Sequence, residues 1–123
     1  MNAYSTLEAA RAAIALHGDR PASAILADTP HVRLLVFRIA PGQAVPPHRN
    51  RSCVMITVLE GRGTLSGEQH GEPIDRTCSA GDVVVYAPNE LHGMRAQDTE
   101  LLLLAAITPP RNADAAAITP EVP

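Results

Sequence analysis

Short runs of β-branched and leucine residues, each closed by a turn, fill most of the chain after residue 21. The predicted strands are residues 23–26, 31–39, 53–59, 63–66, 83–86 and 101–107. Glycine, proline and aspartate separate these runs, as at Pro41-Gly42 and Gly81-Asp82. No second helical pattern interrupts them. The pattern therefore predicts an all-β sandwich or barrel.

One helix is predicted before the strands, over residues 5–18. Ser5 and Glu8 have the spacing of a capping box, and Gly18 stands where a left-handed C-cap is expected. Three apolar residues of the segment share one face at helical spacing: Leu7, Ala10 and Ile14. This stripe is narrow, so we expect the helix to need a surface to pack against.

The size and composition of the chain indicate one folded domain. It has 123 residues, of which 46% are apolar and 19% charged, with a net charge of −3. These values exclude a disordered acidic chain and a membrane-spanning protein. We divide the chain into an N-terminal helical segment (residues 1–20), a β-barrel (residues 21–108) and a tail rich in proline and alanine (residues 109–123).

The basic and aromatic residues argue against nucleic acid as a partner. All ten positive charges are arginines scattered along the chain, and Tyr4, Phe37 and Tyr86 are its three aromatic residues. The N-terminus lacks the pattern of a signal peptide, so we expect a cytoplasmic protein with no membrane partner. Cys53 and Cys78 could pair, but buried thiols are the more common outcome for two cysteines in such a chain.

The predicted strand over residues 53–59 is apolar on both faces. Alternate side chains point to opposite faces of a strand, and both sets are mostly apolar here: Val54, Ile56 and Val58 on one face, and Cys53, Met55, Thr57 and Leu59 on the other. A sheet with one face in water would alternate instead. The helix, a second sheet or a partner subunit must cover the second face, and we expect a homodimer through an outer sheet face.

The five histidines fall into two groups. His17 ends the predicted helix, His31 opens a strand and His70 lies in a polar hairpin turn, so all three are expected on the surface. His48 and His92 instead lie beside strands among small or apolar residues. On spacing alone, they are either partly buried, hydrogen-bonded histidines or the two halves of a site.

Two stretches around these histidines carry a resemblance to a known family. The first, residues 42–61, resembles the first motif of the cupin superfamily, G-x5-H-x-H-x3-E-x6-G. Gly42, His48 and Gly61 are in register with it. Small single-domain, RmlC-like cupins are the members that the chain resembles.

The second stretch, residues 81–96, resembles the second cupin motif, G-x5-P-x-G-x2-H-x3-N. Gly81 and His92 are in register, and Pro88 is displaced by one position. The resemblance implies a double-stranded β-helix, or jelly-roll barrel, with a short N-terminal helix. It also implies that His48 and His92 meet inside the barrel. His48, Asn50 and Val54 share the same parity, so we expect one strand to aim these three side chains at one point inside the barrel. A second strand then brings His92 to that point.

The resemblance is incomplete at the expected metal ligands. In metal-binding cupins three histidines and a glutamate hold the ion, but here Asn50 replaces the second histidine and Val54 replaces the glutamate. The remaining metal-ligand candidates are His48, Asn50 and His92, for a divalent ion such as Zn, Ni, Fe or Mn. These donors are neutral, and a divalent charge in an apolar pocket is costly without an anion. Glu90 is the carboxylate that could reach the mouth of the pocket.

We therefore expect a cupin that binds a small, anionic molecule in its barrel, with weak or optional divalent metal. The candidate ligand-binding residues share a predicted position in or beside the barrel: His48, Asn50, Val54, Tyr86, His92 and Met94. Tyr86 and Met94 also fit a core role, and Arg49 and Arg51 are expected at the rim.

Two other functions remain open. The first is a metal-dependent oxygenase, isomerase or lyase, with His48 or His92 as general base. The second is a structural or interaction role in which side chains fill the barrel.

Overall fold

The computed structural model describes residues 1–15 and 18–110, which form one helix followed by nine strands. The elements in chain order are α1 (Thr6–Ala12), β1 (Ala22–Asp28), β2 (Arg33–Ile39), β3 (Ala44–His48), β4 (Cys53–Glu60), β5 (Arg62–Gln69), β6 (Glu72–Ser79), β7 (Val83–Tyr86), β8 (His92–Ala96) and β9 (Leu101–Thr108). His17 and residues 111–123 of the predicted tail lie outside the described residues.

The strands form two antiparallel sheets that face each other across one apolar core. The five-stranded sheet has the order β1-β2-β9-β4-β7, and the four-stranded sheet has the order β3-β8-β5-β6. The largest side chains between the sheets are almost fully buried: Leu35, Phe37, Ile39, Ile56, Met94, Leu101 and Leu103. The prediction of a jelly-roll barrel is confirmed.

The N-terminal helix covers part of the outer face of the five-stranded sheet. Ala10 of α1 packs against Val36 and Leu102, in a second apolar cluster separate from the barrel core. The predicted helix was too long, because α1 ends at Ala12. Ile14, which would extend the stripe, lies beyond the helix and is 81% exposed.

The predicted capping box does not form. Ser5 is the N-cap residue of α1, but its side chain makes no capping hydrogen bond. Nor does Gly18 end the helix, since Ala13 is the C-cap residue and has an extended backbone conformation. The spacing of Ser5 and Glu8 was therefore a weak local signal, and packing of Ala10 on the sheet fixes the helix.

Three strands were not predicted from the sequence. Strand β3 contains two prolines, β6 is mostly charged or polar and exposed, and β8 contains Gly93 and Arg95 among five residues. None of these has the β-branched run that marked the other strands. They form because the β5–β6 hairpin and the pairing of β8 with both β3 and β5 give them hydrogen-bond partners.

The inward face of β4 was predicted correctly. Val54, Ile56 and Val58 are each at most 1% exposed and belong to the barrel core. The prediction that one strand carries both His48 and Val54 was wrong. His48 ends β3 in the four-stranded sheet, whereas Val54 lies on β4 in the five-stranded sheet, and the loop between the two strands carries the chain across the barrel.

The two cysteines remain free thiols. Cys78 is buried in the barrel core, where burial raises the pKa of its thiol. Cys53 is half-buried at the start of β4. In the described part of the chain, no helix is long and apolar enough to cross a bilayer.

Candidate functional site

His48 and His92 come together inside the barrel. They are direct partners in the antiparallel pairing of β3 with β8. Their ring centroids are 4.2 Å apart, with the ring planes inclined by 57°. His92 is only 1% exposed, and His48 is half-buried. Two imidazoles distant in sequence therefore form one polar centre in an apolar interior.

Backbone carbonyls favour the same tautomer for both imidazoles. Nδ1 of His48 lies 2.9 Å from the carbonyl oxygen of Pro46, and Nδ1 of His92 lies 3.3 Å from that of Glu90. A carbonyl oxygen can only accept, so both contacts favour the tautomer in which Nδ1 carries the proton and donates. In the neutral imidazole, Nε2 then holds a lone pair, the form suited to bind a proton donor or a metal ion.

A glycine beside His92 permits the close approach of the two strands. A Cβ atom at Gly93 would lie 3.0 Å from both the backbone nitrogen and the Cα atom of Pro47. These are backbone atoms of β3, the strand that ends at His48, so they cannot give way as a flexible side chain would. Gly93 therefore sets the strand separation at which the two rings meet.

Tyr86 forms an apolar wall of the histidine site. Its ring centroid is 5.0 Å from that of His92, and its hydroxyl donates to the carbonyl oxygen of Ser66 at 2.9 Å. Burial raises the pKa of Tyr86 well above its ordinary value, so the phenol remains protonated at neutral pH. Val54 is the strand partner of Tyr86, and both belong to the barrel core together with Met94.

The side chains of Asn50 and Glu90 are engaged by the backbone. Oδ1 of Asn50, which is buried, accepts from the amide of Ser52 at 2.8 Å. The carboxylate of Glu90 accepts from the amides of Ala87 at 3.0 Å and Glu68 at 3.4 Å. Both side chains shape loops at the barrel mouth, and a role as metal ligand would cost them these bonds.

Arg49 forms an ion pair that the sequence did not predict. Its Nη1 atom lies 2.7 Å from Oε1 of Glu68, and its Nη2 atom 3.2 Å from Oε2. This bond lowers the pKa of Glu68 and raises that of Arg49. At the rim, the guanidinium of Arg49 therefore pairs with the carboxylate of Glu68 instead of attracting an anionic ligand. Glu68 gave no signal in the sequence, because it lies in a polar hairpin with no motif.

The donor set does not fit the metal centre of metal-binding cupins. Within the described residues, no group of three or more histidine, cysteine, aspartate or glutamate side chains could hold a metal ion. Two imidazoles meet, but the position of the family's glutamate is occupied by Val54, which is buried in the core. A divalent ion here would lack an anionic protein ligand.

A separate open cleft of about 610 Å³ lies between β7 and the β5–β6 hairpin. Its lining includes both apolar and charged side chains, among them Leu65, Glu68, Ile74, Asp75, Tyr86 and Glu90. Neither histidine lines it. Tyr86 borders both regions, because its ring contacts His92 and also forms part of the cleft lining. The sequence gave no indication of this cleft.

Comparison with protein families agrees with the fold and with the two histidine-bearing motifs. The family model for the cupin domain matches residues 35–108, more than half of the chain. The chain belongs to the cupin family. The match includes β3 and β8, and hence both His48 and His92.

Solved cupin structures superpose on most of the barrel. An RmlC-like cupin from Desulfovibrio desulfuricans is 26% identical with a TM-score of 0.74, covering 90% of this chain and 99% of its own. KdgF from a Halomonas species is 22% identical with a TM-score of 0.67, covering 83% and 89%.

The DMSP lyase DddQ from Ruegeria pomeroyi is also similar in fold. It is 19% identical with a TM-score of 0.66, covering 80% of this chain and 53% of its own. At such identity the likeness shows the fold alone. Comparison with curated proteins gave no significant match.

Proposed function

We propose that this cupin binds a small carboxylic or hydroxy acid at the His48–His92 pair, with divalent metal as a weak and optional addition. The observation that carries the proposal is the contact between two imidazoles whose Nδ1 atoms both face backbone carbonyls. A few polar groups placed in an otherwise apolar concavity are typical of small-molecule sites.

The tautomers favour a ligand that brings a proton. Each neutral Nε2 accepts a hydrogen bond, so a hydroxyl group or the undissociated form of an acid can donate to it. An acid that transfers its proton leaves a carboxylate beside an imidazolium, and such charge-assisted hydrogen bonds are the stronger kind. The ligand then supplies the negative charge that Val54 does not.

Binding of a ligand panel to the isotope-labelled protein tests this proposal. The panel contains small carboxylates, hydroxy acids, neutral polyols and zinc chloride, and the readout is the set of NMR signals from the histidine rings and from Met94. We expect an acid to shift the His48 and His92 signals and to lose affinity in His92→Phe. The variant His31→Ala is the control, because His31 is exposed in a turn.

Two results would contradict the proposal. Either no panel member moves the two imidazoles, or a bound acid moves only residues of the cleft, such as Ile74. Zinc alone is expected to bind weakly, because the pair lacks a carboxylate partner. The donor set thus favours a binding protein over the metal-dependent oxygenase, isomerase or lyase.

We also propose a homodimer through the outer face of the five-stranded sheet. Val83 and Val85 on its edge strand β7 are 57% and 60% exposed, next to the half-buried Met55 of β4. Exposed apolar patches and uncharged edge strands are unusual in monomers. A second copy is the proposed occupant, since a two-fold axis would pair the same uncharged valines with each other.

The two free thiols support a reducing, cytoplasmic location.

A further inference from the structure

The ion pair between Arg49 and Glu68 at the barrel rim makes hydrogen bonds to residues next to His48 and close to His92. Arg49 directly follows His48, and its Nη1 atom donates to the carbonyl oxygen of Asn89 at 2.7 Å as well as to Glu68. Asn89 belongs to the loop that leads into β8 and His92. Arg49 therefore fastens the end of β3 to the loop before β8.

Glu68, on β5, also bonds to the chain beside both histidines. Its Oε1 atom accepts from Arg49 at 2.7 Å and from the amide of Leu91 at 2.8 Å. Leu91 directly precedes His92, and Glu68 itself lies on β5. One carboxylate thus holds the residue after the first imidazole and the residue before the second.

A backbone hydrogen bond ties the same two loops together. The amide of Asn89 donates to the carbonyl oxygen of Asn50 at 2.7 Å. Asn89 has a φ of 66°, a left-handed conformation that asparagine adopts more readily than most L-residues. The loops on both sides of the site are therefore held by several directional bonds, of which the Arg49–Glu68 pair supplies four.

We propose that Arg49 and Glu68 are positioning residues that hold the two imidazoles in contact, a role that rests on the proposed function of the histidine pair. The guanidinium is suited to this because its planar fork reaches both carboxylate oxygens and a carbonyl at fixed angles. Neither residue needs to touch the ligand. Their effect reaches the site through the backbone at His48 and Leu91.

Loss of a positioning residue changes the geometry of the two imidazoles, whereas loss of a stabilising residue lowers the free energy of unfolding. The Arg49 side chain is 53% exposed, and exposed ion pairs add little to the stability of a fold. The pair Arg95–Asp75 is the comparison, because Arg95 is 51% exposed, like Arg49; its carboxylate partner is 53% exposed, against 21% for Glu68, and the pair has one contact of 3.3 Å. Arg95 lies on the same strand as His92 but bonds to β6, away from both loops.

The test is the nuclear Overhauser effect between the ring protons of His48 and His92, measured in the full chain without added ligand. Rings with centroids 4.2 Å apart give a strong cross-peak. We expect Arg49→Ala to lose most of this cross-peak with little change in melting temperature, and Arg95→Ala to retain it. Arg49→Lys should recover only part of it, because an ammonium group cannot bond both carboxylate oxygens and the carbonyl in the same geometry.

Zinc chloride titration by calorimetry gives a second readout. Loss of a group that orients metal-binding histidines typically costs about 10–100-fold in affinity, which is the expected effect of Arg49→Ala, against less than about 2-fold for Arg95→Ala. If the wild-type protein binds neither zinc nor any acid of the panel, the proposed function fails. The ring cross-peak still decides the positioning role in that case.

Either of two results would overturn the positioning role. The first is a full ring cross-peak in folded Arg49→Ala. The second is an equal loss in Arg49→Ala and Arg95→Ala, which would indicate general loosening of the barrel. Should Arg49→Ala fail to fold, Glu68→Gln replaces it. That variant keeps an oxygen for the Leu91 amide but removes the charge that holds Arg49, and its cross-peak should weaken.

Discussion

Substitution of Val54 by glutamate tests whether this position faces the two imidazoles. Val54 is 1% exposed, lies in the barrel core and pairs with Tyr86, whose ring contacts His92. It also occupies the glutamate position of the family's metal motif. A carboxylate there would complete a set of two imidazoles and one anion, a common set for divalent transition metals.

The metal-free variant should be clearly destabilised. Removing the buried valine side chain costs about 1.5–2 kcal/mol, and leaving a buried carboxyl group without a full set of partners costs about 1–3 kcal/mol more. The sum, about 2.5–5 kcal/mol, corresponds to a fall in melting temperature of roughly 10–20 °C for a domain of this size. The carboxyl group should stay protonated without metal, because burial disfavours its charge.

Zinc should reverse much of this loss. A ligand at about 100 times its Kd stabilises the folded state by about 2.7 kcal/mol, which is roughly 10 °C here. The assay is thermal unfolding of Val54→Glu with and without zinc, and Val54→Gln is the control of equal size without the charge. We expect recovery in Val54→Glu alone. Equal zinc effects in both variants would refute the convergence of position 54 with the histidine pair.

Three further predictions concern the fold and the assembly. Gly61→Ala should lower the free energy of unfolding in urea more than Gly42→Ala does. Both glycines have a φ near +87°, but only at Gly61 would a Cβ atom meet a backbone oxygen, that of Glu100 at 1.9 Å. Equal losses of stability would show that the turn at Gly61 relaxes. Val85→Glu should convert the proposed dimer to a monomer in light scattering, whereas Ile74→Glu on the other sheet should not. Arg38 lowers the pKa of Glu100, chiefly through a hydrogen bond. The pair therefore stabilises the fold at pH values above the ordinary carboxyl pKa of 4.5, and this stabilisation is lost as the pH falls below it. The free energy of unfolding of Glu100→Gln should depend less steeply on pH in acid, and an unchanged slope would contradict this role of the pair.

The barrel was predictable because its central strands are continuous β-branched or leucine runs with clear turns. Strand β7, Val83–Tyr86, was predicted with its observed limits. The strands that carry the histidines were harder to predict. β3 and β8 are short and contain proline, glycine and arginine, so their pairing depends on neighbours distant in the chain. The motif resemblance, rather than strand propensity, located His48 and His92.

The surroundings of the histidines were beyond prediction from sequence. That Glu68 bonds Arg49, and that Asn50 binds a backbone amide, follow from loop conformations with no local signature. The parity argument placed Asn50 and Val54 on one strand with His48. It failed because the chain crosses between the sheets at residues 49–52. Side-chain alternation holds only within a continuous strand.

The most direct test of the central claim is the long-range ¹H–¹⁵N spectrum of the imidazole rings, recorded above the pH range in which histidines titrate. If both rings present a lone pair to one point inside the barrel, His48 and His92 will both show protonated Nδ1 and unprotonated Nε2. Both Nε2 signals will then move together when a panel acid or zinc binds. A protonated Nε2 on either ring, or a response of one ring without the other, would contradict the claim.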